Sequence, residues 1–294
     1  MAGPADSVAS PTAMSGSYLI EPRPMGLRRR IAEFWRYRQL LRFFSYQNIR
    51  KFYGNTWLGW TWIPLRVVLN VAVRGFVFGS ILGTPSNGIP YLLFFAVGLA
   101  AWELFAYSWY FATRSLELNR RYLKRIYVPR LIVLFASNSV GLLWGGLYTC
   151  VAAIVLLYYA LIEGTMYLTV TPDTLLLIPG ALMLMAMAMA LGLWTSIFGG
   201  QGRRDPRFVV RQVEHVWFYL TPVIYPISLI PSNYQGIASV NPLTAPMEMI
   251  HLAVFGTGEV TSLGVLVSVG FILLIGGFGL RYFDASESLA LDQL

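Results

Sequence analysis

The sequence predicts an all-α integral membrane protein with six transmembrane helices. Three observations carry that prediction. Hydrophobic residues make up 56% of the 294-residue chain and charged residues only 12%, whereas a soluble domain carries about 25% charged residues. Six segments stay apolar over the roughly 20 residues that a helix needs to cross a bilayer. They lie near 60–82, 90–112, 131–160, 174–198, 212–230 and 259–282. Arginine and lysine, finally, occupy alternate connections and are absent from the ones between.

Taken in order, residues 1–25 are expected to form a disordered cytosolic tail. Met1 to Ser17 is rich in Ala, Ser, Pro and Gly and lacks the apolar core of a cleavable signal. Residues 26–56 are expected to form an amphipathic helix. Ile31, Phe34, Trp35, Leu41, Phe44, Ile49 and Phe52 recur at spacings near three and four, and Arg28, Arg29, Arg30, Arg36, Arg42 and Arg50 fill much of the rest. That pattern suits a helix lying on an anionic leaflet. It also suits a soluble helix packed on a core; the span that follows at once favours the membrane surface.

Residues 57–283 hold the six spans, and 284–294 form a cytosolic tail. The third span carries Gly141 and Gly145, a small-residue spacing that permits close helix packing. Pro222 and Pro226 break the fifth by removing backbone donors. Irregular backbone at membrane depth survives only where protein or water covers it. The chain from Thr221 to Phe255 is therefore expected to dip, turn and partly re-enter near one face.

Orientation follows from the charges. Basic residues crowd Arg23–Lys51, the loop after the second span (Arg114, Arg120, Arg121, Lys124, Arg125, Arg130) and the loop after the fourth (Arg203, Arg204, Arg207, Arg211), and Arg281 closes the sixth. Loops 83–89, 161–173 and 231–258 contain none. The positive-inside rule then places both termini in the cytoplasm. The net charge of +8 is spent on topology, so nucleic acid is excluded as a partner.

No enzyme constellation is visible. A phosphate-binding loop needs Gly-Lys-Ser/Thr, but Lys51 precedes Phe52 and Lys124 precedes Arg125. Hydrolysis of ATP by this chain is not expected, and with His215 and His251 the only histidines, nor is a metal site. Cys150, the single cysteine, can form no intrachain disulfide. The basic loops Asn119–Arg130 and Gly199–Arg211 suit plain anchoring or docking to a soluble partner, and charge alone does not separate the two.

Several stretches carry a family resemblance. They are Leu40–Phe44, Asn48–Tyr53 and Trp57–Pro64; Tyr91–Leu99 with Trp102 and Phe105; Asn119 to Arg130; and Arg204-Asp205 followed by Trp217–Pro226 and Asn241-Pro242. In order and spacing they resemble the permease subunit of type-2 ABC exporters of polysaccharides, the Wzm, O-antigen and teichoic-acid exporter group. The resemblance implies a homodimer of six-span subunits in the cytoplasmic membrane of a bacterium, served by two copies of an ATP-binding subunit that carries the ATP and Mg. It implies a lipid-linked polysaccharide on polyprenyl pyrophosphate, moving between subunits along the first and fifth spans. It also implies a role in ATPase coupling for Asn119, Arg120, Arg121, Lys124, Arg125 and Arg130, joined by Arg203, Arg204 and Asp205. Only Lys51 and Lys124 among 22 basic residues are lysines; a GC-rich genome of that kind would suit a galactan exporter. Phe283–Glu287 matches the family's charged ending only in part. The alternatives are a type-2 permease for a drug or lipid, a membrane glycosyltransferase, which wants acidic metal-binding clusters, and a secondary transporter, which usually shows repeated broken spans.

Arg66, Asn70 and Arg74 lie four apart on one helical face of the first span. A charge at the centre of a span costs at least about 2.5–3.5 kcal/mol, so Arg74 needs a partner or water. Two explanations stand. Glu103, at comparable depth in the second span, would neutralise it in a buried pair. Alternatively Arg66 and Arg74 face the substrate path, where a guanidinium fork suits pyrophosphate or sugar hydroxyls. The aromatics divide similarly. Trp57, Trp60 and Trp62 read as an interfacial belt, whereas Trp217, Phe218, Tyr219 and Tyr225 either line the path or pack the core.

Overall fold

A computed structural model describes residues 35–53, 61–123, 125, 128–200 and 205–291, with the backbone alone at 198–200, 205, 232 and 283–291. The tail 1–25, Trp57, Trp60, Lys124, Arg203, Arg204 and the Asp205 side chain lie outside that description.

Ten α-helices are seen among the described residues: α1 (Arg38–Tyr53), α2 (Trp62–Gly75), α3 (Tyr91–Thr113), α4 (Ser115–Leu123), α5 (Arg130–Ile162), α6 (Leu177–Gly200), α7 (Asp205–Leu220), α8 (Ser232–Val240), α9 (Thr244–Phe255) and α10 (Ser262–Leu291). The protein is an all-α, multi-span membrane protein, as the composition requires. The centre of the fold is α3, which is apolar all round and has 19 buried residues. A helix with no polar face has to be enclosed. Here α5, α6, α7 and α9 enclose it, and its interface with α5 is the most extensive in the molecule. Gly141 of α5 makes that contact possible, because a Cβ there would lie 2.7 Å from both Cα and N of Ser108.

Five described helices are long and apolar enough to cross a membrane: Trp62–Ile81, Tyr91–Leu123, Arg130–Ile162, Pro172–Ile197 and Ser262–Tyr282. The first ends in a π-helical turn over Phe76–Ile81. The span expected at 212–230 is corrected. Its helix begins earlier, at Asp205, and stops at Leu220, where the chain turns ahead of Pro222. It is 16 residues long, too short and too charged to cross unaided. It nevertheless runs antiparallel to the C-terminal half of α3. Arg207 meets Glu117 at 3.4 Å, the Arg211 guanidinium lies 4.3 Å from the Tyr110 ring, and Phe218 lies 5.3 Å from Trp102. Beyond the helix, the Tyr91 hydroxyl donates to the Ile224 carbonyl at 2.8 Å. The fifth crossing is thus a short helix extended by a turn, and buried α9 returns beside α3 and α6.

The connections segregate by charge. Ser228 donates to Asn87 Oδ1 at 3.0 Å, and the Thr169 N–H donates to the Val254 carbonyl at 3.1 Å. The three loops without Arg or Lys therefore share one end. At the other end, Lys51 Nζ donates to the Leu118 carbonyl at 3.0 Å and Glu117 joins Arg114 and Arg207. Helix α1 sits at this basic end. It docks on the protein through fully buried Phe44 and Asn48, while Phe43 and Tyr46 stay exposed. One face of the helix therefore packs on the protein, and its opposite face carries exposed aromatic side chains.

Candidate functional site

The α-helical period places Arg66, Asn70 and Arg74 on one stripe of α2, and the structure turns that stripe toward α3, α5 and α7. A cleft of about 120 Å³ opens there, lined by Arg66, Asn70, Arg74, Glu103, Arg211 and Glu214 together with aromatic side chains. Asn70 Nδ2 donates to the Tyr148 hydroxyl of α5 at 3.0 Å. The Arg66 guanidinium lies 5.7 Å from the Trp144 ring, which itself stacks on Tyr107 at 4.6 Å. Arg74 lies 5.5 Å from the Phe218 ring. Each arginine therefore covers an aromatic face, the arrangement expected of a guanidinium kept from full hydration.

Of the two explanations left open for Arg74, the direct pair with Glu103 does not form. No ion pair joins the two among the described residues. They instead share the cleft, which Arg66 and Arg211 also line beside the buried Glu103 carboxyl. The ion pair that does form is Arg211–Glu214, at 3.5 Å. Glu214 Oε2 is buried with no hydrogen-bond partner. Arg211 was missed as a cleft residue because the fifth crossing was expected to start at 212, seven residues after its helix begins, and Glu214, inside that crossing, has no local pattern that names its partners.

The four aromatics separate. Phe218 and Tyr219 line the cleft, and Tyr219 is exposed. Trp217 does not line it. Its ring faces Phe105, Trp109 and Phe271, and its Nε1–H donates to Asn241 Oδ1 at 3.0 Å. Tyr225 turns its hydroxyl back to the Tyr219 carbonyl at 2.9 Å. Asn241 is saturated. Its Oδ1 also accepts from the Leu243 N–H, and its Nδ2 donates to the Leu220 carbonyl and Thr221 Oγ1, each at 3.1 Å. One side chain thereby caps the end of α7 and ties it to α9. We expect Asn241→Leu to cost about 1–3 kcal/mol for the donors and acceptors left unmade, read as a lower thermal midpoint of the detergent-solubilised protein. An unchanged midpoint would mean that the turn holds without this residue.

The basic end holds the residues expected to couple to an ATPase. Arg120, Arg121 and Arg125 are exposed and Arg130 is half-buried. Asn119 is corrected. It is fully buried, donating from Nδ2 to Asn48 Oδ1 at 3.3 Å and to the Ser115 carbonyl at 2.9 Å, and Asn48 Nδ2 donates in turn to Ser137 Oγ at 3.3 Å. Asn119 thus fixes α4 to α1 and α5 and presents nothing to a partner. Glu117, which the sequence passed over, links the two basic connections through Arg114 and Arg207.

A multi-span helical chain with a polar, aromatic-lined cleft among its crossings has the build of a transport subunit. Comparison with known proteins points the same way. The chain is 22% identical over 237 residues to an O-antigen export system permease protein RfbA of Klebsiella pneumoniae, covering 80% of this chain and 87% of that protein. A second protein of the same name and organism is 23% identical over 239 residues, with the same coverage. No family model matches the chain. The comparisons bear out the resemblance to permease subunits of ABC polysaccharide exporters.

Proposed function

We propose that this chain is the membrane-spanning subunit of an ATP-driven exporter that moves a lipid-linked polysaccharide across the cytoplasmic membrane of a bacterium. The cleft carries the proposal. It lies between the first, second and fifth crossings, at an edge of the chain where Arg66 and Tyr219 are exposed. A second copy set against that edge would convert it into an enclosed passage, giving a homodimer. Guanidinium forks suit the pyrophosphate of a polyprenyl carrier. The exposed face of Tyr219 offers a sugar ring an apolar surface to slide on. The chain supplies path and coupling. ATP and Mg are held by an ATP-binding partner, two copies per dimer, docked at the basic end. Arg120, Arg121, Arg125 and Arg130 would meet it there, with Lys124, Arg203, Arg204 and Asp205 in the same role. Glu117 would pass motion from one cytosolic loop to the other.

Depletion of the chain tests the reading. A lipid-linked glycan is expected to accumulate on the inner leaflet, and the purified chain without its partner is expected to hydrolyse no ATP. Unimpaired glycan export after depletion would overturn the proposal. Accumulation of a free lipid in place of a glycan would move the assignment to a lipid exporter.

A further inference from the structure

At the end without basic residues, α8, α9 and the start of α10 surround a second pocket, of about 240 Å³. Ligand pockets for drug-sized molecules run to about 300–1,000 Å³, so this one has room for a single ring. Its polar lining is Gln235, Ser239, Thr244, Glu259 and Thr261. Most of these groups are only partly used. Gln235 Nε2 donates to the Ile230 carbonyl, Ser239 Oγ donates to the Gly236 carbonyl, and Thr261 Oγ1 accepts from the Gly264 N–H. Each keeps further hydrogen-bonding capacity. Thr244 is different: it is 4% exposed and its Oγ1 has no partner at all among the described residues. That oxygen is also sealed from solvent, so the polar groups the pocket offers a ligand are those of Gln235, Ser239, Glu259 and Thr261.

We propose that this pocket takes one neutral sugar residue of the exported chain; the proposal rests on the function assigned above. Sugar hydroxyls donate and accept at once, which suits a wall of amide, hydroxyl and carboxylate groups. The one charge in the lining is that of Glu259, which disfavours phosphate and uronic acids. Ile227 and Ala245 offer an apolar patch to the C–H face of the ring. The lining contains no aromatic platform, so the ring is held weakly, as suits a residue that has to move on.

Gly236 provides the test, because a Cβ placed there meets nothing within 4 Å. Gly236→Phe adds a bulky ring at a residue that lines the pocket, and Gly236→Ala is its control. In cells depleted of the native chain, Gly236→Phe is expected to slow glycan export about fivefold or more, with Gly236→Ala at the native rate. The second assay uses the full chain with its ATP-binding partner, carrying Cys150→Ser and Gly236→Cys, and a membrane-impermeant maleimide. A neutral hexose at about 0.1 M is expected to slow labelling about threefold or more, and a hexuronate is not. Labelling that no neutral sugar slows, or native export by Gly236→Phe, would overturn the proposal. Should Gly236→Phe fail to reach the membrane, the labelling decides alone. Failure of the parent function would appear separately, as a depletion that leaves glycan export intact.

Discussion

Arg74→Ala is expected to reduce export at least about tenfold, and to destabilise the chain by an amount that a second substitution recovers. The first effect follows from the position of Arg74. Its guanidinium is half-buried beside Phe218 in the cleft between α2, α3 and α7. The second follows from charge. The cleft gathers three guanidiniums around the carboxyls of Glu103 and Glu214, both almost fully buried. Removing one of the three guanidiniums leaves Glu103 less well compensated in a medium where an unpaired charge costs several kcal/mol. In Arg74→Ala with Glu103→Ala that imbalance disappears. The thermal midpoints should therefore show a coupling of about 0.5–3 kcal/mol between the two sites, although no ion pair joins them. Export separates the two roles left open by the sequence. If Arg74 contacts substrate, the double variant regains stability and stays defective in export. Recovery of both would make the arginine a structural counter-charge and nothing more.

Gly141→Leu is expected to remove most of the chain from the membrane fraction. A Cβ at this position would press on the Ser108 backbone at 2.7 Å, and backbone does not yield as a side-chain tip does. Overpacking a tight contact costs about 1–3 kcal/mol, and occasionally more. Here it would wedge α5 from α3 along the largest interface in the molecule. Gly146 lies five residues on, with nothing within 4 Å of a Cβ. Gly146→Ala should leave the thermal midpoint unchanged or raise it slightly, since alanine favours helix over glycine by about 1 kcal/mol. Equal behaviour of Gly141→Leu and Gly146→Ala in membrane yield would mean that close approach at Gly141 is not what sets the α3–α5 distance.

Much of this fold was legible because hydropathy and charge report directly on the solvent. The five long crossings, the break at Pro222 and the division of the loops by arginine all follow from where a side chain is tolerated. The stripe Arg66–Asn70–Arg74 was legible because periodicity fixes which residues share a face. Partners were not, since periodicity says nothing about what a face meets. Glu103 and Arg74 lie at similar depth, and only the packing of α7 between and beside them shows that they share a space without pairing. Trp217 and Phe218 are adjacent in sequence, yet a helix points them about 100° apart, one to Asn241 and the other to the cleft. Asn119 stands among arginines and read as surface. Its burial depends on Asn48, 71 residues away, a pairing that no local pattern announces.

The enclosure of α3 also bears on how the protein is made. The helix most completely wrapped at the end is the second of the crossings to leave the ribosome, and α5, α6 and α7 all come later. Glu103 therefore enters the bilayer well before Arg211, by 211 − 103 = 108 residues. At about 5–20 residues per second that interval is roughly 5–20 seconds. Arg74, on the preceding crossing, is already present throughout. During synthesis it and Arg66 are the cations of the future cleft already placed in a finished span to escort the acid into the membrane, whatever they do once the wall is complete.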